Sequence, residues 1–449
     1  MKNAYMQEVL KKVKKRDANE PEFLQTVEEV FKSLEMVVEK HPEYQKMGLL
    51  ERITEPERMI IFRISWMDDN GQAHVNRGFR VQHNGAIGPY KGGLRFDPSV
   101  NLSIIKFLAF EQTFKNSLTG LPIGGGKGGT DFDPRGRSDE EIMRFCQAFM
   151  TELYRHIGPD VDVPAGDVGV GAREIGYLYG QYKRIKATCE NGVLTGKGLS
   201  YGGSLIRPEA TGYGATYYAA EMFKHENVDI KGFTFALSGF GNVTWGSAKK
   251  ITELGGKVIT ISGRDGYVYD PDGIGTPEKI HYLTVMRASG RDLAEDYATQ
   301  FGLPFHAGKK PWEVKADVVM PCATQNEIGI DDAKQIVANG TKYIVEVSNM
   351  PCSNEAIEYF QKSGVIIAPS KAVNAGGVAT SALEMSQNSM RYAWSADEVD
   401  AKLKTIMKNI HDESAKAAAE YGLGYDLVAG ANIAGFKKIA EAMIAQGII

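Results

Sequence analysis

Three segments isolate one charged residue among glycines, and the types of those residues suit acid–base chemistry on a small ligand. Leu121-Pro122-Ile123-Gly124-Gly125-Gly126-Lys127-Gly128-Gly129 places one lysine among five glycines. It is not a phosphate-binding P-loop, because no Ser or Thr follows the lysine and no glycine stands at the required upstream spacing. The glycines instead let backbone crowd a ligand around one amine. Partial desolvation there would lower the pKa of Lys127 towards neutrality, where it serves acid–base or carbonyl chemistry. A flexible loop with a solvated lysine is the plain alternative. Pro164-Ala165-Gly166-Asp167-Val168-Gly169-Val170-Gly171 isolates one carboxylate ahead of a helix. Asp167 reads as a turn or capping acid, or, in a closed cleft beside a lysine, as a proton shuttle. Tyr90-Lys91-Gly92-Gly93-Leu94-Arg95 sets another cation, Lys91, beside paired glycines, and alone it reads as a surface turn.

The run 103–118 has helical spacing, with Ile104, Phe107, Leu108, Phe114 and Leu118 on one face. Glu111 and Lys115 fall in the middle of that face. Charge is costly to bury, so either they form an i,i+4 ion pair across the stripe or the face opens into a pocket for an anionic ligand.

A different signal lies at 233–244. A short apolar strand runs into Gly239-Phe240-Gly241-Asn242-Val243-Thr244, and a helix follows. This is the context of a dinucleotide fingerprint: Gly239 for the tight turn, Gly241 for close approach of a pyrophosphate to the helix N-terminus. Thr244 stands where the fingerprint carries glycine or alanine, so helix and strand must pack differently there. The next strand ends at Ser262-Gly263-Arg264-Asp265. A guanidinium at Arg264 fits a 2′-phosphate and favours NADP, while Asp265 one step on could serve the ribose of NAD. A solvated turn is the other reading of Arg264.

These residues need a scaffold, and the chain is long enough to build one. It has 449 residues, 43% hydrophobic and 24% charged, the mix of a soluble globular protein of two or three domains. A net charge of -4 leaves no electrostatic footprint for nucleic acid. No apolar run reaches membrane-spanning length, and the lysine-rich start does not read as a signal peptide. Cys146, Cys189, Cys322 and Cys352 lack metal-ligand spacing and suggest free thiols in a reducing cytoplasm, so no metal is expected.

The first part reads as helical, then mixed. Residues 22–40 carry an apolar stripe at helical spacing, and 59–67 with 77–83 reads as a hairpin. A helix at 139–157 opens on a capping box, Ser138 with Glu141. Near 201–208 the pattern changes to alternating strand and helix: strands at 233–238, 258–262, 317–320, 343–347 and 365–368, with a helix at 245–254. That alternation indicates a parallel sheet covered by helices. The expected fold is therefore α/β in two domains. An α/β substrate and oligomerisation domain, 1–202, is completed by a C-terminal helix at about 425–449. A Rossmann-like dinucleotide-binding domain occupies 203–424.

Several longer stretches carry a family resemblance: 84–96, 110–116, 122–129, 164–171, 239–245, 321–326 and 371–377. Together they resemble the glutamate dehydrogenase family in its small hexameric form, over nearly the whole chain. The resemblance implies a cytoplasmic homohexamer that interconverts L-glutamate with 2-oxoglutarate and ammonia, in amino-acid metabolism and ammonia assimilation. It implies NADP or NAD in a cleft between two domains. It assigns Lys91, assisted by Ser381, to the side-chain carboxylate of the substrate, and Gln112 and Lys115 to its α-carboxylate. Lys127 becomes the catalytic lysine, Asp167 the catalytic acid, and Gly166 a backbone contact to the amino group. Thr211, Asn242 and Asn374, with Gly239, Gly241 and Arg264, fall on the coenzyme. A leucine-, valine- or phenylalanine-type dehydrogenase is the nearest rival, and the amine of Lys91 argues against its apolar pocket. A dinucleotide-binding regulatory protein is the rival of another class, opposed by the presence of both Lys127 and Asp167.

Overall fold

The computed structural model describes residues 1–289, 291 and 293–448. Two compact units divide the chain: Met1–Leu205 with Val378–Val399 and Asn432–Ile449, and Ile206–Gly377 with Asp400–Ala431. Residues 378–399, expected in the second domain, pack in the first unit. The reason is polar: Glu384 pairs with Lys197, and Gln387 Nε2 donates to Ser204 Oγ at 2.8 Å. Residue 449, the last of the expected C-terminal segment, lies outside the described residues.

The first unit holds a five-stranded sheet: β1 Arg58–Met67, β2 Ala73–Asn84, β3 Tyr90–Phe96, β4 Gly124–Thr130 and β5 Asp162–Gly166, in the order β1-β2-β4-β3-β5. β1, β2 and β4 are antiparallel neighbours, while β3 runs parallel to β4 and β5. The hairpin β1–β2 matches the alternation of its residues, since Ile64 and Trp66 turn inward and Arg63, Ser65 and Met67 outward. The sequence reads 90–95 as a turn and 121–129 as a loop, yet β3 and β4 run through them, and β5 takes in the start of 164–171. Glycine is a poor strand former in isolation, so only tertiary pairing makes these segments extended. At Gly125 a Cβ would stand 2.6 Å from Thr113 Cα, so the bare strand lets the helix Leu102–Leu118 lie directly on the sheet. The glycines expected to crowd a ligand crowd the protein's own chain.

That helix covers one face, backed by the helix Pro21–Lys40, which buries the expected stripe of Phe23, Val27, Val30, Phe31, Leu34 and Val37. The other face packs Ile64, Trp66, Leu94 and Phe96 against the helices Asp139–Leu153 and Ala172–Lys186. The Ser138–Glu141 capping box opens the first of these, and the helix stops at Leu153, with a short 3-10 turn to His156.

The second unit holds seven strands: β6 Thr234–Leu237, β7 Lys257–Ser262, β8 Gly266–Tyr269, β9 Phe305–Ala307, β10 Val318–Met320, β11 Tyr343–Val345 and β12 Ile366–Ala368. Their order is β12-β11-β10-β6-β7-β8-β9. The five from β12 to β7 are parallel, and β8 and β9 add an antiparallel edge. The order reverses between β6 and β10, and a ligand crevice of an open α/β sheet lies at the carboxyl ends of such a pair. Among the described residues no helix is long and apolar enough to cross a membrane.

Candidate active site

β4 carries Lys127 at its centre, β3 carries Lys91 and Arg95, and β5 ends just before Asp167. Lys127 Nζ lies 3.2 Å from Asp167 Oδ2, and Arg95 Nε donates to the same oxygen at 2.8 Å. Lys127 is buried and Asp167 half-buried. Burial by itself raises the Asp167 carboxyl, but the Lys127 and Arg95 charges outweigh it and hold the pKa at about 2. The Lys127 amine moves down from the ordinary lysine value. Burial is the main cause, Asp167 opposes it, and Arg95 and Arg80 add to it. The result is a fixed carboxylate touching an amine biased towards releasing its proton. Gly93 permits the approach, since a Cβ there would stand 2.8 Å from Asp167 Cβ.

Lys91 is buried. Its Nζ donates to Val163 O at 3.0 Å and to Thr195 Oγ1 at 2.8 Å. The helix above is keyed to the same strands: Asn116 Nδ2 donates to Lys91 O at 3.0 Å, and Gln112 Nε2 donates to Asn116 Oδ1 at 2.6 Å. Lys115 lies one turn beyond Gln112, and both are half-buried. The single apolar face expected for this helix is not what forms. Ile105, Ala109, Phe110 and Thr113 are buried as well, and Ile104 is only half-buried. A helix held between a sheet and a second helix buries most of its circumference. It also buries Lys106, whose Nζ pairs with Asp17 and Glu20, each at 2.8 Å.

Ser381 is buried on the helix Gly376–Met390. One turn on, Glu384 accepts from Gly196 N at 3.0 Å and from Lys197 Nζ at 2.7 Å, with both charged side chains fully buried. Glu384 thus holds the helix of Ser381 beside Thr195, the hydroxyl on Lys91. Removing one partner of a buried pair strands the other charge, so Glu384→Gln is expected to cost about 3 kcal/mol of stability. A urea unfolding midpoint unchanged in that variant would refute the assignment.

The second unit carries the other residues of interest. Gly239, at φ +73°, turns the chain after β6, and Gly241 caps the helix Asn242–Glu253. A Cβ at Gly241 would meet nothing within 4 Å, so open space adjoins the helix N-terminus. Thr244 does what the fingerprint glycine does not: buried, it donates from Oγ1 to Ser238 O at 3.0 Å and fixes helix to strand. Asn242 is exposed and accepts from Trp245 Nε1 at 3.2 Å. Gly239 N donates to Ser262 Oγ at 2.9 Å, joining the ends of β6 and β7. Beyond Ser262 the tip Gly263-Arg264-Asp265 forms a hairpin turn into β8, with Arg264 exposed. Asp265 accepts from Ala294 N at 2.9 Å and Glu295 N at 3.0 Å, so its carboxylate caps a helix. Asn374 is buried, with Nδ2 donating to Asn349 Oδ1 at 2.8 Å, while its Oδ1 has no hydrogen-bond partner among the described residues. Thr211 borders Gly377, where a Cβ would stand 2.6 Å from its Oγ1. An open helix N-terminus and an orphaned buried amide oxygen fit a dinucleotide with a carboxamide-bearing ring.

Comparison with known proteins decides the family. The model for Glutamate/Leucine/Phenylalanine/Valine dehydrogenase matches residues 202–447, and that for the Glu/Leu/Phe/Val dehydrogenase dimerisation domain matches residues 56–184. The chain belongs to this dehydrogenase family. It is 65% identical to the NAD-specific glutamate dehydrogenase of Clostridium symbiosum, over 99% of both chains. It is 54% identical to the NADP-specific glutamate dehydrogenase of Escherichia coli (strain K12), again over 99% of each. A solved glutamate dehydrogenase structure, 64% identical, superimposes with a TM-score of 0.98 over 99% of this chain and 100% of that one.

Within this dehydrogenase, several residues of the site carry no local sequence signal. Thr195, Lys197 and Glu384 are polar residues in unremarkable contexts, joined across almost 190 positions at the widest. Arg95 is different. Read as a strand, 90–96 alternates Lys91, Gly93 and Arg95 on one face, and 124–130 alternates Gly125, Lys127 and Gly129. That period would have brought Arg95 beside Lys127.

Proposed function

We propose that this dehydrogenase interconverts L-glutamate with 2-oxoglutarate and ammonia, using NADP in preference to NAD. The observation that carries the reading is the contact of Lys127 with ionised Asp167 on the sheet that also carries the buried amine of Lys91. A dicarboxylate presents an anion to that amine at the end remote from the reacting carbon, and a charge-assisted hydrogen bond there selects for it. In this reading Lys91, assisted by Ser381, takes the side-chain carboxylate, and Gln112 and Lys115 take the α-carboxylate. Lys127 polarises the α-carbonyl. Asp167 relays protons while ammonia adds and water leaves, and Gly166 offers its backbone to the amino group. Held ionised, Asp167 enters the deamination direction as a proton acceptor. The nicotinamide, when bound, supplies or accepts the hydride. Gly239, Gly241 and Asn242 would hold its pyrophosphate, with Thr211 and Asn374 towards the nicotinamide.

Loss of reduced-nicotinamide absorbance with 2-oxoglutarate and ammonia tests the reading, and turnover of branched or aromatic 2-oxo acids in its place would overturn it. Coenzyme choice rests on Arg264, since Asp265 is committed to its helix. Arg264→Ala is expected to raise the KM for NADPH about tenfold, the worth of one charge-assisted hydrogen bond, with NADH changed by less than about twofold. Equal effects on the two would remove the contact. A second reading, NAD as the main coenzyme, is favoured by the name of the Clostridium symbiosum relative. A wild-type kcat/KM higher with NADH than with NADPH selects it.

The assembly in this reading is a homohexamer of the 49.2 kDa chain, supported by the dimerisation-domain match and checked by light scattering. The free state of all four cysteines supports a reducing, cytoplasmic setting.

A further inference from the structure

Behind the active-site face of the sheet runs a second ion pair with no part in the mechanism above. Arg80, on β2, is fully buried. It donates from Nε to Asp162 Oδ2 at 2.8 Å, from Nη2 to Asp162 Oδ1, and from Nη1 to Gly92 O at 3.1 Å. Asp162 opens β5, and β4 and β3 lie between it and β2. The guanidinium therefore crosses two strands to reach its partner. It can do so because β4 has only glycine at 126 and 128, the positions on that face along its path. A Cβ at Gly128 would stand 3.1 Å from Arg80 Cδ, and one at Gly126 would stand 3.4 Å from Nη2. Arg80 pairs in register with Gly128, while Lys127 pairs with Val81, so strand alternation puts Lys127 on the opposite face. Gln82 completes the arrangement, donating from Nε2 to Asp162 Oδ2 at 3.0 Å and to His156 O at 2.8 Å.

We propose that Arg80 is a positioning residue for the reaction. Threaded beneath the glycines of β4 to Asp162, it locks the strands of Lys91 and Asp167 against that of Lys127 and keeps a compensated charge behind that amine. This rests on the reading of Lys127 as the catalytic lysine. The glycines on both sides of the lysine leave that path narrow: a Cβ at 128 would press first on Leu94 and Phe79 O and then on the Arg80 stem, and one at 126 would touch Nη2. The charged groups acting on Lys127 are Asp167 after β5, Arg95 on β3 and Arg80 on β2. Glu111 and Lys115 lie on the helix packed over β4.

The test follows charge. Arginine stays protonated in proteins, so Asp162→Asn leaves a bare cation behind Lys127. In the full-length enzyme, cyanate labels only the unprotonated amine, and peptide mass spectrometry reads the labelling of Lys127 against pH. Asp162→Asn is expected to move the inflection about one pH unit lower, the effect of one uncompensated charge at intermediate dielectric. It should also lower kcat at least tenfold, with little change in the KM for coenzyme. The double variant Arg80→Met with Asp162→Asn removes both charges. Its labelling should return to the wild-type inflection while kcat stays low, because the tie between strands is still missing. An unmoved inflection in Asp162→Asn, or one that stays shifted in the double variant, overturns the proposal. Should neither variant accumulate as folded protein, Arg80→Lys decides. It keeps both charges, but one ammonium cannot reproduce the fork to Asp162 and Gly92, so kcat should fall at least tenfold with the inflection in place. Wild-type kcat in Arg80→Lys overturns the positioning role. Labelling does not depend on substrate, so a wild-type enzyme inactive on glutamate would remove the functional reading and leave this one to be judged separately.

Discussion

Asp167→Asn is expected to lower turnover about 10³–10⁴-fold, the upper range for loss of a proton-transfer group, with the Kd for coenzyme changed by less than about twofold. The substitution is nearly isosteric, and an amide oxygen can still accept the Arg95 hydrogen bond seen at 2.8 Å. What disappears is a carboxylate held at about 2, ionised at any working pH and able to take a proton. The variant also changes Lys127. Asp167 is the group that pulls the buried amine back up, and without it burial, Arg95 and Arg80 act unopposed. The residual activity should therefore fade at lower pH than in the wild type, because the ammonium form that polarises a carbonyl is lost earlier. Stopped-flow turnover and coenzyme fluorescence titration, both across pH, separate these effects. Normal turnover would remove Asp167 from the chemistry. A stability effect runs alongside. The Asp167 pKa is depressed in the folded enzyme from about 3.9 unfolded, so its contribution is present above pH ~4 and is lost as pH falls towards 2. Urea unfolding of wild type and variant should converge over that interval.

How much of this was legible in the chain depends on where each signal resides. The nucleotide fold is local: an apolar strand, Gly239, Gly241 and a helix follow one another without interruption, and the observed β6 and helix Asn242–Glu253 fall where the pattern puts them. The stripe on Pro21–Lys40 and the capping box at Ser138 are equally local. The substrate sheet is not. β4 is almost all glycine, and β3 carries a glycine pair, residues whose propensity opposes a strand. They become strands because Arg80, Asn116 and the helix Leu102–Leu118 need that backbone bare. The candidate residues stood out in the sequence because they are lone charges among glycines, but their mutual geometry did not. Lys91 meets Thr195 across about a hundred residues of the first unit, and Lys197 meets Glu384 only once the chain has returned from the second. The same long return explains why 378–399 belongs with the first unit although its sequence neighbours do not.

The second large effect concerns selectivity. Lys91→Met is expected to lower kcat/KM for glutamate about 10³–10⁵-fold, since a site built to pair a charged group rejects strongly once the pairing is gone. In the wild type the ammonium is buried on β3 and held by Val163 O and Thr195 Oγ1, two neutral acceptors. A substrate carboxylate that reaches this amine adds a charge-assisted hydrogen bond, roughly twice as strong as one to a neutral acceptor. Methionine has similar length and no charge. It leaves the glutamate carboxylate to be buried unpaired, while a straight-chain monocarboxylic amino acid such as norleucine meets only apolar atoms. The ratio of kcat/KM for glutamate over norleucine should therefore collapse, mostly through the glutamate value, while the KM for coenzyme stays put. Lys127 and Asp167 are untouched, so kcat at saturating norleucine reports whether the chemical step survives. If glutamate remains the better substrate of Lys91→Met by the wild-type margin, the distal carboxylate is bound elsewhere, and the buried amine is no more than a strut between β3, β5 and Thr195.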